Sequence, residues 1–295
     1  MIRYLTGNEV DFKKYNNCIS KALNSRIYAY SWYLDIVADK NWDILVLNDY
    51  EAVMPLPKRK KYFINYIFLP AWVQQLGVFS INEISEDLIK SFIHEIPKKF
   101  KLIDVFFNSE NFFRHKNLAL RVNYILSLNK PYEAIIKNYK KGRKSSIKQA
   151  QKNDLEVAEN YSHREIINLF KINKGVKLNK SNIDYNILNT LIEAALLLNM
   201  AECLAVLNNK KELIGGALFL KNNQRLTYLF SSINKEGREK QAMSFLIDYV
   251  NKKFSNSEYI FDFEGSMISE IALFFKSFGA EKETYYHYKK YSLFG

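Results

Sequence analysis

Cysteine, histidine and glycine are scarce in this chain. Its 295 residues include 2 cysteines, Cys18 and Cys203, which cannot build a disulfide framework. The 4 histidines show no spacing typical of a zinc site, so no metal is expected. No apolar run approaches the roughly 18 residues that span a bilayer, and no signal-peptide pattern is visible. We therefore expect a cytoplasmic protein without a transmembrane segment.

Apolar residues and basic residues are abundant instead. The chain is 48% hydrophobic and carries 43 basic against 31 acidic side chains, a formal net charge of +12. Its length suits two domains, each with its own core. The excess charge is spread along the chain and does not by itself indicate nucleic-acid binding. We expect one lobe at residues 1–130 and a second at residues 131–295.

The order of predicted elements is similar in the two halves. In the second half, an antiparallel meander over 202–231 is followed by an amphipathic helix over 239–254 and a strand over 259–263. Such a strand-helix-strand crossover joins parallel strands. The first half also has β runs followed by a helix over 86–100 and a strand over 103–107. These patterns predict a mixed sheet with a strand-helix-strand crossover in the second half and a similar order of strands and helices in the first half.

A basic segment joins the two halves. Residues 137–152 contain seven basic side chains and no acidic one, with Gly142 as the expected break before a helix. Lys144, Lys148 and Lys152 recur every four residues and form one stripe, whereas Ile147 and Ala150 can pack. The stripe is either a solvated linker helix or a surface that contacts phosphates of a nucleotide, a nucleic acid or an anionic lipid.

A polar segment opens the helix of the crossover. A helix start exposes unpaired N–H groups and the positive end of the helix dipole. Gly237, Arg238, Lys240 and Gln241 could therefore seat a pyrophosphate there. The alternative is an ordinary polar loop.

The strand after the crossover ends in two carboxylates. If Phe261 and Phe263 face the core, Asp262 and Glu264 lie on the opposite face at the carboxyl end of a strand. A half-shielded carboxylate there can accept a proton from an amine. Alternatively, Asp262 pairs with a basic neighbour and Glu264 caps the next helix.

Hydroxyl groups and a histidine complete the candidate residues. Tyr228, Ser231 and Ser232, on the strand that enters the crossover, could stabilise an oxyanion, or they pack in the sheet and its turn. His287 lies among tyrosines on the last strand, either as a structural side chain or as an acid or base.

Several segments resemble a known family. Lys-Lys-Gly-Arg-Lys-Ser-Ser-Ile-Lys-Gln-Ala at 140–150 resembles the junction between the lobes of FemAB-like members of the GNAT acyltransferase superfamily. Phe-Asp-Phe-Glu-Gly-Ser at 261–266 and the segment 274–280 resemble that group's C-terminal lobe. The motifs at 54–57 and 74–77 extend the likeness into the first half. The resemblance implies an α/β (α+β) fold of two tandem GNAT-like lobes, each a mixed, mostly antiparallel sheet flanked by helices. It also implies transfer of an acyl group from a thioester or an aminoacyl-tRNA to an amine.

The resemblance also exposes a departure. The family's pyrophosphate loop has small residues where this chain has Gln241 and Met243. Our first hypothesis is an N-acyltransferase that uses acyl-CoA and a small-molecule or peptide amine, with a cleft in the second lobe. In it, Glu264 or Asp262 is the base, and Gly237, Arg238, Lys240 and Gln241 lie near the phosphates of the donor.

Two other functions stay open. One is a tRNA-dependent aminoacyltransferase of the Fem type that acts on a cell-wall precursor, with the lysine stripe against RNA or an anionic lipid carrier. The other is a non-catalytic binding module with a degenerate GNAT fold.

Overall fold

A computed structural model describes residues 1–173, 182–265 and 267–291. Lys174 and Leu293, at predicted ends of a helix and a strand, and Ser266 of the C-terminal motif lie outside the described residues. The chain divides into two compact units, one of Met1–Val122 with the residues from Glu283 onward and one of Asn123–Lys282.

The first unit combines a sheet with three helices of the described chain. Its strands are β1 (Ile2–Leu5), β2 (Trp42–Leu47), β3 (Ala52–Lys61), β4 (Ile64–Ile67), β5 (Phe79–Ser80), β6 (Phe100–Phe107), the beginning of β7 (Leu118–Ser127) and most of β13 (Glu281–Tyr291). Its helices are α1 (Phe12–Lys21), α2 (Ser31–Val37) and α3 (Glu86–His94).

Antiparallel pairing dominates the first unit. Strands β1 to β4 follow one another in antiparallel pairs, and β13 pairs antiparallel with β6. The pair of β4 and β6 is parallel, with α3 in the connection between them. Ser85 caps α3 by accepting a hydrogen bond from the Leu88 N–H, and Ile89 and Phe92 face the core with no exposed surface. This amphipathic helix therefore covers the sheet, as its spacing predicts.

The second unit has the same kinds of element. Its helices are α4 (Tyr132–Lys137), α5 (Lys141–Gln151), α6 (His163–Asn173), α7 (Asn182–Leu197), α8 (Lys235–Glu239), α9 (Ala242–Lys253) and α10 (Ser269–Lys276). Its strands are the end of β7, β8 (Glu156–Ala158), β9 (Ala201–Leu207), β10 (Leu213–Asn222), β11 (Arg225–Ile233) and β12 (Ile260–Asp262).

The sheet of the second unit runs in the order β7, β12, β11, β10, β9 and β8. The predicted meander is confirmed, since β9, β10 and β11 pair antiparallel, and the predicted crossover is confirmed by the parallel pair of β11 and β12. The predicted continuous helix over 239–254 is wrong at its start. Gln241 has a φ of 61°, in the left-handed region, and this residue separates α8 from α9.

The basic segment folds as predicted in its second half. Ile147 and Ala150 are buried in α5, which confirms the packing face. Gly142 is not the break, however, because α5 already begins at Lys141 and Lys140 is its N-cap residue.

The compact units differ from the expected lobes at two places. Residues from Glu283 onward group with the first unit because β13 pairs with β6. Residues 123–127 group with the second unit because the end of β7 pairs with β12. Both differences arise from long-range strand pairing, which local sequence patterns do not report.

Candidate active site

The parallel strands β11 and β12 are paired over only a short length. Arg225, Leu226 and Thr227 are in register with Ile260, Phe261 and Asp262. At that point β12 ends, whereas β11 continues to Ile233. Beyond Thr227, β11 is therefore not paired with β12. This gap lies at the carboxyl ends of both strands, the region where open α/β sheets bind ligands.

A β-bulge lies in β11. Phe219 is in register with Tyr228 and Leu218 with Phe230, so Leu229 is the extra residue. A bulge twists a strand and changes the direction of the side chains that follow. It occurs immediately beyond the point where β11 and β12 separate.

Asp262 lies in a buried ion pair. Arg225 Nη1 donates to its Oδ2 at 2.6 Å, and the two side chains are 9% and 1% exposed. Asn123 Nδ2 and the backbone N–H of Glu264 both donate to Oδ1 at 2.9 Å. This arrangement matches the structural alternative given for Asp262, and it ties the carboxylate to the backbone of Glu264.

Glu264 does not extend the strand. Phe261 and Phe263 are buried as predicted, but β12 ends at Asp262 and Glu264 has a φ of 54°. The expected alternation thus stops one residue before Glu264, whose half-buried side chain belongs to the turn that follows. Glu264 does not cap α10 either, since the N-cap residue of that helix is Ile268.

Tyr228 packs in an aromatic cluster. Its ring centroid is 5.4 Å from that of Phe219 and 6.3 Å from those of Phe261 and Phe275. Burial raises the pKa of Tyr228 well above its ordinary value, and a hydrogen bond with Ser231 opposes this shift. The phenol therefore stays protonated at neutral pH and can donate a hydrogen bond to an oxyanion.

Ser232 lies beside the bulge. It is in register with Gly216 on β10 and is only 3% exposed. Within the described part of the chain, its hydroxyl has no hydrogen-bond partner. A buried donor of this kind is unusual in a native structure and is compatible with the predicted oxyanion role.

All four residues predicted to hold phosphates already have partners within the protein. The N–H of Gly237 donates to the side-chain oxygen of Asn234 at 2.8 Å, and a Cβ at Gly237 would lie 2.2 Å from the Ile214 carbonyl oxygen. This glycine is thus required by close packing of α8 on β10. Lys240 forms an ion pair with Glu236 at 2.8 Å.

Gln241 adopts the backbone conformation that glycine favours. Its φ of 61° lies in the left-handed region, and α9 begins at the next residue. Among the described residues, Gln241 provides no side-chain cap for α9; its amide instead contacts Arg238 O at 3.4 Å and Ser244 Oγ at 3.3 Å. The side chain of Arg238 is exposed, and its Nη1 donates to the Ile233 carbonyl oxygen at 3.2 Å.

Arg143 lies at the N-terminus of α9, and the sequence analysis did not single it out. Its Nη1 donates to Ser244 Oγ in the first turn of α9, and its Nε donates to Ser277 Oγ at 2.9 Å. The guanidinium carbon lies 4.3 Å from the ring centroid of Phe274 and 4.7 Å from that of Phe278. Burial lowers the pKa of Arg143, but guanidinium stays charged. In the sequence, Arg143 is simply one of the seven basic residues at 137–152. Its burial in the structure distinguishes it from the lysines.

The lysine stripe is partly occupied. Lys144 Nζ donates to the Lys137 carbonyl at 3.0 Å, whereas Lys148 and Lys152 are exposed. Lys152 is the C-cap residue of α5 rather than part of its last turn.

His287 belongs to the first unit and not to this site. Its Nε2 lies 2.7 Å from Asp104 Oδ1, and its Nδ1 lies 3.5 Å from Arg121 Nη2. Its ring stacks on Phe106 with a centroid distance of 4.1 Å. These contacts match the structural alternative for His287.

Comparison with known proteins identifies the fold. No family model matches the sequence, and no curated protein matches it. The structure is similar to FemX, with 12% identity, 96% of each chain covered and a TM-score of 0.70. It is also similar to a conserved protein of unknown function from Bacteroides thetaiotaomicron VPI-5482, with 10% identity, coverage of 98% and 100%, and a TM-score of 0.59.

A third similar structure is L-PGS from Bacillus licheniformis, with 11% identity, coverage of 96% of this chain and 92% of that chain, and a TM-score of 0.55. In the described ranges, every helix is too short or too polar to cross a bilayer. The predicted fold class is confirmed, and this chain has a FemAB-like GNAT fold.

Proposed function

We propose that the second unit transfers an activated acyl group to an amine. The observation that carries this proposal is the separation of β11 from β12 beyond Thr227 and Asp262, next to the N-terminus of α9. This geometry offers an acyl donor a place beside strand ends and puts a helix dipole near its phosphates. The fold shared with FemX and L-PGS supports the same reaction class.

The reaction needs a base, a donor site and hydrogen bonds to an oxyanion. The amine nitrogen attacks the acyl carbonyl carbon, the bond from carbon to the leaving sulfur or oxygen breaks, and the amine proton passes through the base to the leaving group. We assign the base to Glu264, because the oxygens of Asp262 are engaged with Arg225 and Asn123. Tyr228 and Ser232 are the proposed hydrogen-bond donors to the oxyanion.

Acyl-CoA is the first proposed donor. The left-handed Gln241 and the charge of Arg143 at the first turn of α9 favour a phosphate there, with Arg238 exposed beside it. Gly237 contributes to the shape of the loop and Lys240 to its charge. Neither is assigned a direct contact with the phosphates, because both already have partners within the protein.

Ligand-induced stabilisation tests the donor. The full chain would be heated with CoA, acetyl-CoA, palmitoyl-CoA or bulk tRNA, and the melting temperatures compared. A ligand at 100 times its Kd adds about 2.7 kcal/mol of stability. If none of the four stabilises the chain, the transferase proposal is wrong and a non-catalytic binding module is favoured.

Turnover tests the base. With the stabilising donor and a lysine-containing peptide as the amine probe, Glu264→Gln should lower the rate by about 10²- to 10⁴-fold. Glu270→Gln, at an exposed glutamate in the first turn of α10, is the matched control and should leave the rate unchanged. Unchanged turnover in both Glu264→Ala and Asp262→Ala would remove the carboxylate assignment.

An aminoacyl-tRNA donor is the second candidate, with a cell-wall precursor or another lipid-linked amine as acceptor. The observation in its favour is that Lys148 and Lys152 are exposed in a segment without acidic residues. Lys148→Gln with Lys152→Gln should then weaken tRNA binding and reduce its salt dependence by roughly one unit of slope per lost phosphate contact. Lys13→Gln on α1 is a control, and equal salt slopes would favour acyl-CoA.

A further inference from the structure

The hairpin of β3 and β4 has an unusual turn. Lys61 is in register with Ile64, so Tyr62 and Phe63 are the two residues of the loop. Both have positive φ, 46° and 66°. Two-residue hairpin loops with this pattern favour Asn-Gly or a similar pair, because bulky side chains are strained in the left-handed region. Local stability therefore does not explain why two aromatic residues occupy the turn.

The same turn exposes an apolar surface. Tyr62 is 83% exposed, Phe63 91% and Ile64 40%. Single exposed apolar residues are common, but a contiguous exposed apolar patch marks an interaction surface, and here three apolar residues are consecutive at the end of the hairpin.

Positive charge surrounds this apolar tip. Arg59, Lys60 and Lys61 directly precede it and are exposed, and the sequence has no acidic residue between Glu51 and Glu83. Within the described residues, no carboxylate pairs with these three cations. Lys60 Nζ lies 5.7 Å from the ring centroid of Phe63, and Lys61 Nζ lies 5.4 Å from that of Tyr62.

A cleft beside the hairpin continues the basic surface. It has a volume of 280 Å³ and is lined by Asn41, Lys58, Arg59, Lys60, Asn65 and Phe100. Its side-chain amides and cations can hold a phosphate diester. The Lys58 ammonium already pairs with Asp43 at 2.5 Å, which leaves Arg59 and Lys60 as the charges available to a ligand.

We propose that this hairpin, residues 58–67, docks the protein on the surface of a membrane that contains anionic phospholipids. Tyr62 and Phe63 enter the interface between headgroups and acyl chains, and Arg59, Lys60 and Lys61 contact lipid phosphates. The chemistry favours a bilayer over RNA, because the aliphatic side chain of Ile64 cannot stack on a base and forms one exposed apolar patch with Tyr62 and Phe63. Docking here would bring the chain to lipid-linked substrates, but the proposal does not depend on the transferase reaction.

Flotation of the full chain with vesicles tests the proposal. Binding is expected to vesicles of phosphatidylcholine with phosphatidylglycerol and to be much weaker with phosphatidylcholine alone. Tyr62→Asn with Phe63→Gly should reduce binding by roughly tenfold or more, because it removes the inserted rings. Asn-Gly is the preferred pair for this turn, so this variant should fold at least as stably as the parent chain.

Charge variants separate the two parts of the interaction. Lys60→Gln and Lys61→Gln should each weaken binding by about fivefold, and the loss should vanish in high salt. Leu23→Ser, at another exposed apolar residue of the first unit, and Lys13→Gln are the controls and should leave binding unchanged.

Two results would overturn the proposal. The first is unchanged flotation of the variant with Tyr62→Asn and Phe63→Gly, and the second is equal binding of the parent chain to both vesicle types. If the first result comes with a loss of tRNA binding, the hairpin is an RNA contact. If no donor stabilises the chain, the transferase proposal fails, but the result of the vesicle test still decides the membrane proposal.

Discussion

The guanidinium of Arg225, at the first paired position of the parallel strands β11 and β12, and the carboxylate of Asp262, at the last, are joined at 2.6 Å, with both side chains buried. Removing one partner of a buried ion pair leaves an uncompensated charge. We therefore predict that Asp262→Ala lowers the free energy of unfolding by about 3–5 kcal/mol. Chemical denaturation measures this loss.

The double variant Arg225→Met with Asp262→Leu is the control for this prediction. It should recover much of the lost stability, since apolar side chains often replace a buried pair without cost. A loss below about 1 kcal/mol for Asp262→Ala would match an exposed pair and contradict the structural role. Because Asp262→Ala is expected to be destabilised, its turnover must be compared with that of the parent chain at a temperature where the variant is folded.

Replacement of two glycines by alanine should change the free energy of unfolding in opposite directions. A Cβ at Gly237 would lie 2.2 Å from the Ile214 carbonyl oxygen, so Gly237→Ala should destabilise the chain by about 1–3 kcal/mol through overpacking. Gly142 has no atom within 4 Å of an added Cβ and lies in α5, so Gly142→Ala should stabilise by up to about 1 kcal/mol. Melting temperatures report both changes, and equal signs would refute the packing argument.

Gln241→Gly should stabilise the second unit. A non-glycine residue in the left-handed region costs about 1 kcal/mol or more, and the contacts of the Gln241 side chain, at 3.3 and 3.4 Å, are weak. The expected gain is about 1 kcal/mol in the free energy of unfolding. Gln149→Gly, in the exposed part of α5, is the control and should lose about 1 kcal/mol. Loss of stability in Gln241→Gly would show that the amide contacts outweigh the backbone strain.

Asp248 should make stability depend on pH. Burial raises the pKa of Asp248 on α9, although hydrogen bonds from Tyr132 at 2.9 and 3.0 Å oppose the shift. An acid with a raised folded-state pKa contributes stability that is present below the unfolded pKa of 3.8 and is lost as pH rises through the folded pKa. The stability of the parent chain relative to Asp248→Asn should therefore fall as pH rises above that value.

Denaturation at a series of pH values measures this difference. Asp154→Asn, at an exposed position, is the matched control for the substitution. If the stability of the parent chain relative to Asp248→Asn instead rises with pH, the tyrosine hydrogen bonds, rather than burial, determine the ionisation of Asp248.

Local patterns were sufficient for most elements of the second unit. The short apolar runs of β9, β10 and β11 and the helical spacing around Ile147 and Ala150 depend only on neighbours within a few residues. The crossover followed from their order. The same reasoning failed at Glu264, because a period-two pattern does not reveal where a strand ends.

The sequence by itself determined the fold class, the basic segment and the presence of two carboxylates after a short aromatic strand, because periodicity and composition express those features directly. Only the tertiary structure decided that Asp262 is paired with Arg225, that Arg143 reaches the first turn of α9, and that Gly237 is required by β10. The physical reason is that these contacts join residues far apart in sequence, and their geometry depends on strand register and burial, which no local pattern encodes.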